Sequence, residues 1–133
     1  MKIPNNFFKS VYQKYPYLFV LFISFLLTIP WIMVSDFYTK GEPREASVAQ
    51  CILNTGNWIL PTDYADETAY KPPLMHWMIA LFSLPAGKVS ETTARLPSAL
   101  GLIGITVSFF VFLSKRTSKK RALLATLLML TSF

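Results

Sequence analysis

Apolar residues in this chain come in blocks instead of the dispersed positions that a soluble core requires. Tyr17 to Val34 carries no charge. At 1.5 Å of rise per residue such a block extends about 27 Å as a helix, close to the hydrocarbon thickness of a bilayer. A cleaved signal peptide shares the basic start, but its apolar core runs roughly 7–15 residues and ends at an A-x-A-like site. This block is longer and no such site follows it, which favours an uncleaved span with Pro30 placed to kink its end. A second uncharged block runs from Leu96 to Leu113. Its Gly101 and Gly104 permit close helix packing, and Pro97 suits a first helical turn. Residues 122–133 read ALLATLLMLTSF, the beginning of a third apolar run. The expectation is a third span continued beyond this chain, which would make the chain the N-terminal piece of a longer polytopic protein.

Between the blocks lies a shorter apolar stretch, Leu74 to Ala86. Charge placement decides how to treat it. Lys2, Lys9 and Lys14 precede the first block, and Lys115, Arg116, Lys119, Lys120 and Arg121 follow the second. Every acid (Asp36, Glu42, Glu45, Asp63, Asp66, Glu67 and Glu91) lies between them. The positive-inside rule puts both basic flanks in the cytoplasm and residues 36–95 outside. That holds only if residues 73–86 lie along the membrane without crossing it. The expected fold is therefore an all-α polytopic membrane protein. It has complete spans at 17–34 and 96–113, a truncated third from about 122, and an extracytoplasmic loop carrying two short interfacial helices.

Composition agrees. The 133 residues are 53% hydrophobic and 15% charged, against about 25% charged in soluble domains. The net charge of +6 would suit nucleic acid, but it sits in the flanks of apolar blocks, not on one basic face, so no nucleic-acid partner is expected. With Cys51 alone, neither an intrachain disulfide nor a cysteine zinc site can form. The chain has no nucleotide-phosphate loop, no Ser-His-Asp set and no metal-ligand spacing; no cofactor is expected, and use of a divalent metal is left open.

Chemistry concentrates in the loop. Residues 41–56 read as a helix, with Pro43 in its first turn, Gly56 as its stop, and Ala46, Ala49, Ile52 and Leu53 forming an apolar stripe able to lie on the membrane. Glu42 and Glu45 share a face. An acid at a helix start stays ionised, a useful state for a base, although helix starts are commonly acidic for structural reasons alone. Lys71 precedes Pro72 and Pro73, which open the next helix; a lysine beside unsatisfied N–H groups makes a phosphate site, or else a snorkelling surface lysine. Arg95 is either a headgroup anchor or a site residue. His76, the sole histidine, is expected to be packed or exposed, not a metal ligand.

Four segments carry a resemblance: Gly41-Glu42-Pro43-Arg44-Glu45-Ala46, Asn54-Thr55-Gly56-Asn57-Trp58-Ile59-Leu60-Pro61, Tyr70-Lys71-Pro72-Pro73-Leu74 and Ala94-Arg95-Leu96-Pro97-Ser98-Ala99. In this order, after a first span, they resemble the N-terminal region of GT-C type polyprenyl-phosphate-sugar-dependent glycosyltransferases, nearest the aminoarabinose transferases that modify lipid A and the protein mannosyltransferases. Gly41 stands where the family's acidic pair begins, Glu45 where many members have Tyr, and Tyr70 where many have Glu. The resemblance implies inverting transfer of a sugar from a polyprenyl phosphate to a hydroxyl of a lipid, glycan or protein, at the outer face of a bacterial plasma membrane. It implies Glu42, or alternatively Asp36, as the acid acting on the acceptor hydroxyl. Lys71 and Arg95 would bind the donor phosphate, with Arg44 and Glu45 in support. The competing expectation is a non-catalytic membrane subunit or transporter fragment with an external loop.

Overall fold

A computed structural model describes residues 12–34, 37, 41–65, 67–69 and 71–132. Among them the regular structure is helical: α1 (Pro16–Val34), α2 (Gly41–Thr55), α3 (Leu74–Ser83) followed by a 3-10 turn (Leu84–Ala86), α4 (Glu91–Arg116) and α5 (Lys119–Thr131). The extended backbone amounts to one antiparallel bridge, Thr62 to Thr68, with no strand among the described residues. Two compact units divide the chain, Met1–Ile29 with Gly101–Phe133 as one and Pro30–Leu100 as the other.

In the first unit, helices rich in large apolar residues pack around Val20, Phe110 and Ala122, with Tyr12, Val107, Leu113 and Leu123 against them. Tyr17 meets the edge of Phe110 at 5.8 Å between ring centroids. The Tyr12 hydroxyl donates to the Lys119 carbonyl at 2.6 Å, and burial raises its phenol above the usual tyrosine range. Ser24, Thr106 and Thr126 are buried in the apolar helices, and each hydroxyl donates to the carbonyl four residues back at 2.8 Å. That removes the cost of an unpaired polar group without calling on water. Outward, the unit shows Leu18, Phe22, Phe25, Leu26, Ile105, Phe112, Leu124 and Leu128. α1 and α4 are long and apolar enough to cross a membrane, and only 22% of each apolar window is buried, too little for core helices of a soluble protein. α5, at 13 residues, is about 20 Å long and short of a span.

The second unit is built differently. Ala46, Ala49 and Ile52 of α2 pack with Ile79 and Ala80 of α3 and Ala94 of α4, flanked by Phe37, Leu53, Trp58, Met75, Trp77 and Val89. The expected stripe on α2 is thus present, with Val48 buried beside it, and it is occupied by α3 and α4 instead of lying free for a membrane. Gly56 ends α2 with φ +71° and its N–H on the Ile52 carbonyl at 2.8 Å, the left-handed stop at which a side chain would be strained. Side chains tie the connections down: Trp77 Nε1–H donates to the Trp58 carbonyl at 2.6 Å, and Val89 N–H to Gln50 Oε1 at 2.8 Å.

The second long helix corrects the sequence expectation. It begins at Glu91, five residues before Leu96. Ser90 precedes it, and its hydroxyl accepts the Thr93 N–H at 3.2 Å while Thr93 Oγ1 accepts the Ser90 N–H at 2.9 Å. This reciprocal pair is a capping box with threonine at the third position, and Glu91 adds a carboxylate at the positive helix end. Pro97 consequently lies inside α4, not in its first turn, and Arg95 projects from the second turn of a formed helix.

Candidate functional site

α2 begins with a glycine-acid-proline sequence, and its first two turns present Glu42 and Glu45 three residues apart, hence on one face. Each acid meets a cation from a different part of the second unit. Glu42 receives Arg95 as a two-pronged pair, Nε to Oε1 at 3.2 Å and Nη2 to Oε2 at 2.9 Å. The Arg95 side chain is largely buried, at 13% exposure against 33% for Glu42, and its guanidinium lies 5.9 Å from the Phe37 ring centroid. A planar fork matched to a carboxylate is the geometry in which arginine binds carboxylates and phosphates equally well.

Glu45 is the hub of the second cluster. Its Oε1 takes the Lys71 ammonium at 2.5 Å, and its Oε2 takes His76 Nε2 at 2.6 Å. An ionised carboxylate only accepts, so Nε2 carries the proton. The other ring nitrogen, Nδ1, is buried with no hydrogen-bond partner among the described residues. Lys71 stays half exposed. Arg44, Glu45, Val48, Ala69, Lys71 and His76 line a small cavity of about 10 Å³, room for about one water molecule. Among the described residues no three His, Cys, Asp or Glu side chains gather to hold a metal ion.

The structure therefore brings five of the residues singled out from sequence into one neighbourhood of α2: Glu42, Arg44, Glu45, Lys71 and Arg95. Lys71 reaches α2 through Glu45, where the sequence suggested an ammonium turned outward at the start of α3. Asp36 lies outside the described residues, as does Tyr70. His76 is packed, one of the two placements expected of it, and nothing in its position along the chain joined it to Glu45. The signal is visible in the helical register. Glu45 prolongs the Ala49–Ile52 stripe of α2, and His76 prolongs the Ile79–Ala80–Ser83 stripe of α3. The register thus marks each residue as an end of a packed stripe, and the packing of α2 on α3 brings the two ends together.

The comparisons with known proteins are sparse. Over 103 residues the chain is 29% identical to an undecaprenyl phosphate-alpha-4-amino-4-deoxy-L-arabinose arabinosyl transferase of Shewanella sediminis (strain HAW-EB3), a match covering 77% of this chain and 18% of that enzyme. Over 105 residues it is 30% identical to an uncharacterized protein of Aquifex aeolicus (strain VF5), covering 79% of this chain and 25% of the relative. The chain thus spans about a fifth to a quarter of the length of these relatives. No family model matches, and no solved structure does.

Proposed function

We propose that this chain supplies the donor-phosphate end of a membrane glycosyltransferase that moves a sugar from a polyprenyl phosphate to an acceptor hydroxyl at the extracytoplasmic face. The observation that carries the proposal is the pairing on α2: two acids on one helical face, each holding a cation suited to phosphate, in a chain with two helices able to cross a membrane. The likeness to an enzyme whose name specifies an undecaprenyl-phosphate-linked sugar supports the donor class.

The chemistry follows from the groups. The acceptor oxygen attacks the anomeric carbon from the face opposite the leaving group, so configuration inverts. The bond from that carbon to the phosphate oxygen breaks, and the electron pair leaves on the polyprenyl phosphate. The acceptor proton passes to Glu42. While Arg95 grips Glu42 through both oxygens, that carboxylate is a weak base. A donor phosphate competes for the same fork, and its arrival frees Glu42 as it engages Arg95 and Lys71. The base becomes available when the donor is in place. Positive charge held at the departing phosphate then lowers the barrier.

The setting supports a lipid-linked donor. Leu74, Leu81 and Leu84 are exposed along the side of α3 and its 3-10 turn opposite His76, Ile79, Ala80 and Ser83, an apolar surface suited to a membrane interface.

The test uses full-length protein in proteoliposomes with labelled undecaprenyl-phosphate-linked sugars. Release of undecaprenyl phosphate that depends on the protein and on an acceptor is expected with at least one sugar. Binding of the lipid without release for any sugar or acceptor would instead favour a non-catalytic membrane subunit.

A further inference from the structure

The first unit carries charge of one sign. Residues 1–29 and 101–133 hold eight Lys and Arg and no Asp or Glu, so no carboxylate side chain of the unit balances them. Six of the eight gather at one end. Lys115, Arg116, Lys119, Lys120 and Arg121 are exposed around the turn from α4 into α5. The Tyr12 hydroxyl on the Lys119 carbonyl ties the residues just before α1 to that turn, which brings the exposed Lys14 to the same end.

Helix electrostatics accounts for only part of this. Lys115 and Arg116 fall in the last turn of α4, where cations suit the negative end of the helix dipole. Lys119, Lys120 and Arg121 open α5, whose first turn has no acid and whose Ser118 cap makes no side-chain hydrogen bond. There the dipole is positive, and three cations oppose it. Their placement weakens the helix start unless an anion from outside the unit faces it.

The adjoining surface indicates which anion. Phe112, Tyr15 and Tyr17 are exposed at this same end. The Arg116 guanidinium lies 4.7 Å from the Phe112 ring centroid, and the Lys14 ammonium 5.3 Å from that of Tyr15. Exposed rings under cations, at the ends of helices apolar enough to cross a membrane, are the arrangement expected at headgroup level. Beyond the rings, Leu18 and Phe22 of α1 and Ile105 of α4 continue the exposed apolar surface. A lipid can follow that surface with its chains; a nucleic acid cannot. We propose that the α4–α5 turn, together with Lys14, binds the phosphate of anionic phospholipid headgroups. The site belongs to the first unit and does not rest on the donor-phosphate role given to the second.

The experiment measures binding of dioctanoyl-phosphatidylglycerol and dioctanoyl-phosphatidylcholine to full-length protein in neutral detergent at low salt. One headgroup reaching two or three of these cations should give wild type a preference for phosphatidylglycerol of about tenfold or more. Lys119→Gln/Lys120→Gln/Arg121→Gln should reduce the preference to about twofold, because the attraction scales with the cations left at the surface. Lys119→Arg/Lys120→Arg, which keeps the charge, should retain it, and so should Lys71→Ala in the second unit. Salt at about 0.5 M should remove the preference from wild type without any substitution. Glycerol phosphate, the headgroup without its chains, should bind at least about tenfold more weakly than the lipid, since it buries no apolar surface. Equal binding of the two lipids by wild type overturns the inference, as does a preference that survives the triple glutamine variant or high salt. A preference lost in Lys71→Ala overturns it too, by placing the lipid in the second unit. Glycerol phosphate binding as tightly as the lipid would make the turn a site for soluble anions. Displacement of the lipid by an equal concentration of short RNA would make it a nucleic-acid surface. Either result removes the lipid site.

Discussion

The two compact units solve the problem of buried polarity in opposite ways. In the first, the buried Ser24, Thr106 and Thr126 return their hydroxyls to their own helix, while the partly buried Tyr12 hydroxyl reaches the Lys119 carbonyl at the start of α5. In the second, polar groups are matched across elements: Glu42 with Arg95, Glu45 with Lys71 and His76, Trp77 with the Trp58 carbonyl, Gln50 with Val89. Self-satisfied helices tolerate any apolar surroundings, lipid included. Cross-matched ones define a particular geometry, which a binding site requires. The outward surfaces follow the same division, with Phe22, Phe25 and Leu26 exposed on α1 and the ionisable cluster confined to the second unit.

The largest effect that would break this contrast is a wrong membrane orientation, because its readout is all or none. With Cys51 replaced by serine, a cysteine at Asp63 should react with an impermeant reagent from outside intact cells, and one at Ser118 only after the membrane is opened. Reporter fusions at residues 70 and 90 should report the same side. Opposite sides would mean that α3 crosses, and the cluster would then straddle the bilayer.

Next in size is the chemistry assigned to α2. On the proposed transfer, Glu42→Gln keeps the shape and removes the base, so turnover by the full-length protein should fall by about 10²-fold or more with donor binding largely kept. Lys71→Ala should weaken donor binding as well, because a charge-assisted contact to phosphate is lost. Near-normal turnover in folded Glu42→Gln, together with its loss in Asp36→Asn, would move the base to the end of the first apolar block.

The embedding of the first unit can be probed by charge. Phe25 is near the middle of α1 and half exposed. Lysine there should cost about 2.5–3.5 kcal/mol of insertion if the surface faces lipid. Tyr64, exposed in the second unit, should accept lysine within about 0.5 kcal/mol. Insertion of both variants, scored in the membrane fraction, sharpens the contrast; equal tolerance would remove it.

How much of this was legible in the sequence divides along the same line. The long apolar helices and the two short helices between them follow from runs of one residue class and from Pro–Gly punctuation, which are local signals. The site was legible as a set of residue types but not as a set of pairs. Pairing depends on which faces of α2, α3 and α4 meet, and spacing along one helix says nothing about its neighbour. Hence Arg95 read equally well as a headgroup anchor, Glu45 read as support for Glu42 with no partner named, and His76 read as packed or exposed. The start of α4 was missed for a different reason. Hydrophobicity locates the apolar part of a helix, whereas its first turn here is polar and set by Ser90.

That polar first turn supports the smallest prediction. α4 starts at Glu91 because Ser90 and Thr93 satisfy each other's backbone N–H groups. From that start, Arg95 falls on the turn that reaches Glu42. Ser90→Ala removes one half of the box and should lower stability by about 1 kcal/mol, read as a small fall in thermal midpoint. Thr93→Ala should cost a similar amount. Because the two residues form one reciprocal unit, the double variant should lose less than the sum of the two. The functional consequence should be confined to the donor, a modest rise in KM from a less firmly seated Arg95 with kcat nearly unchanged. Additive losses in the double variant would show that the two residues act separately. A Ser90→Ala protein as stable as wild type would show that α4 owes its start to packing of Ala94 in the second-unit core and not to its cap.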